Sequence, residues 1–600
     1  MNVKSSHMCI ALAVLAATVQ FAFVMESDRD QAFQVPVVDA ATYHRQAMAL
    51  AVGGQQETRP FWQPPLYPYA LSLLYRAGIT GMPVVRCIHA LLGVAAVMLT
   101  YLIASRGGPW IGFAAGLGVC CYAPLLFYFS QLLPAGLGVV LNLCAILLLL
   151  RFAEKATWPR AIGLGITVGL ATLTVPNSAI TGLIVLGWIV WRPADSRTQR
   201  QWPETLRLAS SFVAGLLLAI LPVTARNYAV SGEFVPISTN GGINLYIGNN
   251  PHTDETLTIQ PGIDWDRLAA LPYREGAKTA SAAQRFFLRK VGEFVRQTPL
   301  SFAKGLAVKL EQTFSSREIP RNEDLYEFAK HSGILHCLIW RIGSLAFPFG
   351  IVGPLALLGV VTMAWRRKDR RILLLFASGY IATVILVFPA SRYLAPVMPV
   401  FVIFAVLGVQ RLCQQASLPI AGRIASVGAL ALFAVLINLP HQWPTDRVNY
   451  AAELDTNVGV GLQTRGRLEE SIAEYRAAIE LQPDSADAHR FLGTAYRATG
   501  RTALAAEEFE RAIALRPDHD PALQDLAVAR FQDGRVGESV ELLRRVLALN
   551  PENRQAMINL GVGLLKLKRN DEAAQWFRKA RVEVPSGGKP ALGAQFEKAN

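Results

Sequence analysis

Apolar runs long enough to cross a bilayer recur along the first 438 residues of this 600-residue chain, and none follows. They lie near 8–24, 84–104, 109–129, 132–150, 161–175, 178–191, 206–223, 346–365, 372–388, 396–411 and 421–438, about eleven spans in all. Inside hydrocarbon each backbone polar group must be satisfied within its own segment, so such runs fold as helices. The pair 161–191 is interrupted at Pro176-Asn177 and reads either as two spans or as one kinked helix. No small-x-small site follows the first run, which exits as FVMESDRD, so it reads as an uncleaved helix.

Charge sets the expected orientation. With the amino terminus inside, the short inner loops hold Arg106, then Arg151, Lys155 and Arg160, then Arg192, Arg197, Arg200 and Arg207, then RRKDRR at 366–371, and lastly Arg411 and Arg423. The short outer turns near 130, 176 and 390 hold only Arg392, which satisfies the positive-inside bias. Two long loops, 25–83 and 224–345, then fall outside, as does everything after 438. The net charge of +14 is accounted for by this bias and by anionic lipid or phosphate partners. Nucleic acid is not an expected partner, since no basic groove motif interleaved with aromatics occurs.

Beyond residue 450 a 34-residue period takes over. Pro483, Pro517, Pro551 and Pro585 close the phrases AAIELQP, RAIALRP, RVLALNP and KARVEVP, and Gly466, Gly500 and Gly534 keep the same spacing. Gly459, Gly493 and Gly561 fall on the small position of a first helix; Ala505 and Ala573 fall on that of a second. Tyr475, Phe509 and Phe577 take the aromatic position three residues before Ala478, Ala512 and Ala580, while the third repeat departs with Ala527, Leu543 and Val546. This pattern resembles the tetratricopeptide repeat, which implies an α-solenoid of about four helix pairs over 450–590. Its default use is to bind a protein partner; a docking or stability module with no separate partner is the alternative.

The first long loop carries the chemistry. Asp39 begins a helical pattern in which Tyr43 and Gln46 share its face, and the pattern ends at Gly53-Gly54. The following RPFWQPPLYPYALSLLYRAG turns at Pro64-Pro65 into an amphipathic helix whose aromatics suit a membrane interface. An acid after the first span, followed by PPLYPY, resembles the GT-C membrane glycosyltransferases, notably protein O-mannosyltransferases and the lipid A aminoarabinose or galacturonic acid transferases. ARNYAVSGEFVPISTNGGINLYIGNNP at 225–251 and PASRYLAPVMP at 389–399 are similar to further segments of that family.

The resemblance covers roughly 8–440 and implies an all-α, GT-C-like polytopic bundle at 1–440 with its active site on the outer face of a bacterial inner membrane. It implies a hexosyl- or pentosyltransferase taking its sugar from a polyprenyl-phosphate donor to a lipid-linked glycan, a lipid A-like molecule or a protein. Asp39 would be the catalytic or acceptor-positioning acid. Arg59, Arg226 and Arg392 would be candidate cations for the donor phosphate, since a guanidinium fork matches phosphate oxygens. Tyr43, His44, Tyr393 and Asn249 would be candidate substrate-loop residues. Two departures stand out: Ala40 and Gln131 occupy places that are often acidic in relatives.

Each candidate has a plainer reading. Asp39 is also a suitable helix N-cap, Asp28 and Asp30 suit solvated juxtamembrane charges, Arg392 suits an interfacial snorkelling cation, and Arg226 suits a helix-end anchor. Asn249-Asn250-Pro251 reads as a turn. No cofactor is indicated. A divalent cation is compatible with the chemistry, but His331, His336 and Glu327 make a poor ligand set and no third histidine is near. The seven cysteines, Cys9, Cys87, Cys120, Cys121, Cys144, Cys337 and Cys413, contain no CxxC and indicate neither a disulfide framework nor a zinc site. Phosphate-loop, serine-hydrolase-elbow and HExxH motifs are absent. The alternative to an enzyme is a non-catalytic membrane scaffold whose repeats recruit envelope-assembly or secretion partners.

Overall fold

The computed structural model describes residues 3–53, 59–191 and 202–581. Gly54, Arg192, Arg197, Arg200 and Pro585 lie outside the described residues. The chain divides into two compact units, one of residues 1–259 and 269–448, the other of 260–268 and 449–600. Among the described residues the fold is all-α apart from one antiparallel hairpin, Trp340–Ile342 with Leu345–Phe347, in which the Trp340 and Phe347 rings stack at 5.2 Å.

The first unit is a multi-pass membrane bundle. Among the described residues, eight helices are long and apolar enough to cross: Ser6–Ser27, Met82–Gly107, Pro134–Glu154, Trp202–Ser231, Phe349–Arg366, Lys368–Val387, Ser391–Cys413 and Ile420–Ile437. Pro109–Cys120 and Ala123–Ser130 make a ninth if the pair, bent by 62°, is one span. The remaining two of the eleven expected segments are helical but short. At about 1.5 Å per residue, Trp158–Thr174 and Ala179–Trp191 fall below a hydrocarbon thickness of about 30 Å. The break between them is the Pro176–Ser178 turn, where the proline cannot continue the helical hydrogen bonding.

Close helix crossings rest on glycine, since between apolar helices in lipid it is close packing that holds them together. A Cβ on Gly165 would lie 2.1 Å from the Phe212 carbonyl oxygen, and one on Gly215 would lie 2.2 Å from that of Ile162. Trp158–Thr174 and Trp202–Ser231 therefore meet backbone to backbone.

The extramembrane parts of this unit are short helices. Val38–Ala51 and Leu66–Arg76 follow the first span, the second starting directly after Pro64-Pro65. Gly241–Ile247, Ala280–Gln297, Pro299–Thr313, Leu325–Lys330 and Gly333–Leu338 follow the span that ends at Ser231. Glu26 ties the two loops together by accepting from the Gly333 N–H at 2.8 Å and the Ser332 hydroxyl at 2.7 Å.

The second unit is a tetratricopeptide solenoid. Its helix pairs are Tyr450–Thr464 with Leu468–Leu481, Ala486–Ala498 with Thr502–Leu515, Asp520–Gln532 with Val536–Leu549, and Arg554–Lys566 with Asn570–Lys579. The aromatics Tyr475, Phe509 and Phe577 are buried against Gly459, Gly493 and Gly561, where a Cβ would lie within 2.7 Å of each ring. The turn inside each of the first three pairs is left-handed at Gly466, Gly500 and Gly534. The fourth pair places Lys568 there, at φ +62°.

Candidate active site

Asp39 sits in the first turn of Val38–Ala51 and does not cap it. The cap position is Val37, which makes no side-chain capping bond. Val38, directly before Asp39, has φ +47°, a left-handed conformation that a β-branched side chain rarely adopts. Such strain persists only where surrounding contacts over-determine it, and three side chains from distant parts of the chain hold the neighbouring carboxylate. Gln63 Nε2 donates to Oδ1 at 3.2 Å, Asn322 Nδ2 donates to Oδ2 at 3.2 Å, and Arg392 Nη1 makes a close ion pair with Oδ2.

Gln63 stands immediately before the Pro64-Pro65 turn. Asn322 belongs to the irregular stretch between Pro299–Thr313 and Leu325–Lys330. Arg392 lies in the short helix Ser391–Leu394 at the start of a span. That stretch is pinned to the span: the Ser391 N–H and hydroxyl both donate to the Ile319 carbonyl at 3.1 Å. Arg392 also donates to the Tyr393 hydroxyl at 3.2 Å. Asp39 and Arg392 are only 22% and 20% exposed, so the pair is poorly screened. Two buried atoms beside it, Gln63 Oε1 and Arg392 Nε, have no hydrogen-bond partner among the described residues.

Three more acids crowd the same stretch. Burial raises the Glu323 carboxyl to about 7; Arg392 opposes the rise and Asp39 adds to it. Burial likewise raises Glu318 to about 7, with Asp324 contributing. Asp324, raised by burial to about 6, caps Leu325–Lys330 by accepting from the Tyr326 N–H at 2.7 Å. Burial, reinforced by the Asp39 carboxylate, holds the Tyr43 hydroxyl above its ordinary range, so it stays protonated.

A narrow cleft opens beside Glu318 and Ser391, its lining including apolar Tyr122, Leu125, Phe349, Leu394 and Met398 and polar Gln312, Thr313, Ser315, Arg317 and Glu318. Among the described residues no group of three or more His, Cys, Asp and Glu side chains is placed to hold a metal ion. His331 instead faces Asp30, Nδ1 to Oδ2 at 3.0 Å.

Of the residues singled out in the sequence, Asp39, Arg392, Tyr43 and Tyr393 are brought together. The other four sit elsewhere. His44 Nδ1 contacts the Tyr75 hydroxyl at 2.7 Å. Arg226 lies 4.1 Å over the Phe61 ring and donates to the carbonyl of exposed Arg59 at 2.8 Å. The Asn249 amide donates to Leu245 and Leu386 carbonyls and accepts from Lys309 Nζ at 2.8 Å. Burial among these neutral oxygens lowers Lys309 to about 8. Gln131 is buried, its carbonyl oxygen 3.0 Å from His89 Nδ1, and Ala40 is buried beside Asp39. Gln63, Asn322, Glu318 and Glu323 escaped the sequence reading. The polar run RNED at 321–324 in an outer loop was the available signal.

Comparison with known proteins bears on both units. Residues 62–224 match the family model described as dolichyl-phosphate-mannose-protein mannosyltransferase, so the match starts one residue before Gln63. Residues 459–520 and 525–588 match that of the tetratricopeptide repeat. No curated protein matches the chain. Among solved structures, one described as "Crystal structure of MamA" is 22% identical, covers 30% of this chain and 98% of its own, and has a TM-score of 0.21. Another, "First TPR of Spaghetti (RPAP3) bound to HSP90 peptide SRMEEVD", is 23% identical over 20% of this chain and 96% of its own, with a TM-score of 0.20.

Proposed function

We propose that the membrane unit transfers a sugar from a polyprenyl-phosphate donor to a lipid-linked glycan, a lipid A-like molecule or a protein, with Asp39 as the base. The mannosyltransferase-type match supports a membrane glycosyltransferase in general. The observation that carries the finer reading is the Asp39 carboxylate held by Gln63, Asn322 and Arg392 from three separate segments. A carboxylate fixed in this way is placed to take a proton, and the guanidinium beside it is placed to neutralise phosphate.

In the proposed step the donor phosphate draws Arg392 away from Asp39, which Gln63 and Asn322 continue to orient. The acceptor hydroxyl or amine attacks the sugar's anomeric carbon while its proton passes to Asp39. The bond from that carbon to the phosphate oxygen breaks, and the polyprenyl phosphate leaves paired with Arg392. A single displacement of this kind inverts the anomeric centre.

The active face is assigned to the outside of a bacterial inner membrane. With the bent pair counted as one span, the nine spans, like the eleven read from the sequence, are odd in number and send the loops and the repeats to the side opposite the amino terminus. The basic run RRKDRR at 366–371 then stays inside. The repeats add a site for a protein partner. Mass spectrometry of envelope glycans and glycoproteins from cells with and without the protein tests this reading. A sugar missing from one glycan, lipid or protein class is the expected result. Identical profiles, under conditions where the protein is made, would overturn it.

A further inference from the structure

The second unit holds a short segment that is remote in sequence from the repeats. Residues 260–268 lie across the amino-terminal turns of Ala486–Ala498 and Asp520–Gln532, the first helices of the second and third repeats. Arg516 forms a two-bond fork with Asp264, Nη1 to Oδ2 at 3.0 Å and Nη2 to Oδ1 at 2.5 Å. Arg267 reciprocates, Nη1 to Asp518 Oδ2 at 2.6 Å and Nη2 to the Asp518 carbonyl at 2.5 Å. Between the two forks the Ile263 N–H donates to Asp487, and the Ile263 side chain is buried. Gly262 has φ +147°, and a Cβ there would lie 2.6 Å from Asp487 Oδ2, so only glycine fits against this carboxylate. His519, fully buried, steadies Asp487 from behind at 3.2 Å.

This is the anatomy of a peptide site: opposite charges in two bidentate clamps, one backbone bond, one buried apolar anchor and one steric filter.

We propose that residues 260–268 are an intrachain ligand of the repeats, occupying a site whose external partner is a peptide with the same Gly-Ile-Asp…Arg frame. The site discriminates by the Arg516 and Asp518 clamps, and the intrachain ligand holds it at reduced apparent affinity until that partner displaces it. The proposal rests on the repeat unit alone and stands or falls separately from sugar transfer.

Binding of fluorescein-labelled peptide 259–270 to the full-length protein in nanodiscs, read by anisotropy, tests it. Removing the clamps from the intrachain segment with Asp264→Ala and Arg267→Ala together should tighten peptide binding, by about threefold to thirtyfold for two partly exposed ion pairs. Arg516→Glu should lose the native peptide yet accept one carrying Asp264→Lys, a rescue that a misfolded protein would not give. Equal binding by the wild type and the double variant, no binding by the double variant, or indifference to Arg516→Glu would each overturn the proposal. A dimer that dissociates in the double variant would assign the segment to a neighbouring copy and overturn it too.

Discussion

Arg392 closes on Asp39 across 353 positions of sequence, joining the start of a late span to the first turn of the helix after the first span. Neither residue is fully buried, and neither is free. Asp39 keeps two neutral donors whether or not Arg392 stays, whereas Arg392 has Tyr393 and an unpartnered Nε. The pair can therefore part without stranding the acid, and the proposed step requires that.

Arg392→Ala should lower kcat by roughly 10²- to 10³-fold, the usual cost of losing one group that stabilises developing charge. Arg392→Lys should recover only part of this, because an ammonium supplies the charge without the fork. Rates measured at saturating donor decide it. A kcat for Arg392→Ala within a few-fold of wild type would limit the residue to packing.

Asn322→Ala and Gln63→Ala should each lower kcat by roughly fivefold, since each removes one hydrogen bond of about 1 kcal/mol that orients the base. The double variant should lose less than the product of the two, because both act through the same carboxylate. A double-mutant cycle on kcat measures this coupling, and strict additivity would count against it.

Glu323 gives a pH signature. Its ordinary carboxyl value is 4.5 and the folded value is about 7. Between these the folded protein keeps a proton that the unfolded chain has released, so stability falls as pH rises through the window. Glu323→Gln removes the effect. Its melting temperature should match the wild type near pH 4.5 and exceed it by a widening margin toward pH 8. Thermal unfolding in detergent across this range checks the sign, and a constant difference would contradict it.

Lys568 occupies the left-handed position that Gly466, Gly500 and Gly534 fill in the other repeats. Lys568→Gly should stabilise the last pair by about 0.5 kcal/mol, since a side chain in this conformation costs roughly 1–2 kcal/mol and glycine gives back some of the gain as chain entropy. Gly500→Ala should do the reverse in the second repeat. Hydrogen exchange in Arg554–Lys566 and Asn570–Lys579 reports the first change.

The parts legible in the sequence are those written by local periodicity. Each expected apolar run is largely helical, the run at 109–129 as two helices, and the small and aromatic positions of the repeats meet as their spacing implies, Gly493 against Phe509 for example. Span length was less legible, because Pro176 and the bend after Cys120 shorten helices without lowering their hydropathy. Asp39 and Arg392 stood out one at a time, as an acid and a cation next to spans. Their pairing, and the parts of Gln63 and Asn322 in it, depend on tertiary closure of irregular loops, which has no period to read. Residues 260–268 were hidden for the same reason: their partners lie some 220 to 260 positions away, in repeats whose own pattern is complete without them.

The most direct measurement is turnover by Asp39→Asn in membranes, with donor binding and thermal stability followed in parallel. Asparagine keeps the size of the side chain and one acceptor but cannot take a proton at neutral pH. Sugar transfer should be lost, with donor binding and the folded bundle retained. Near-normal transfer by this variant would contradict Asp39 as the base.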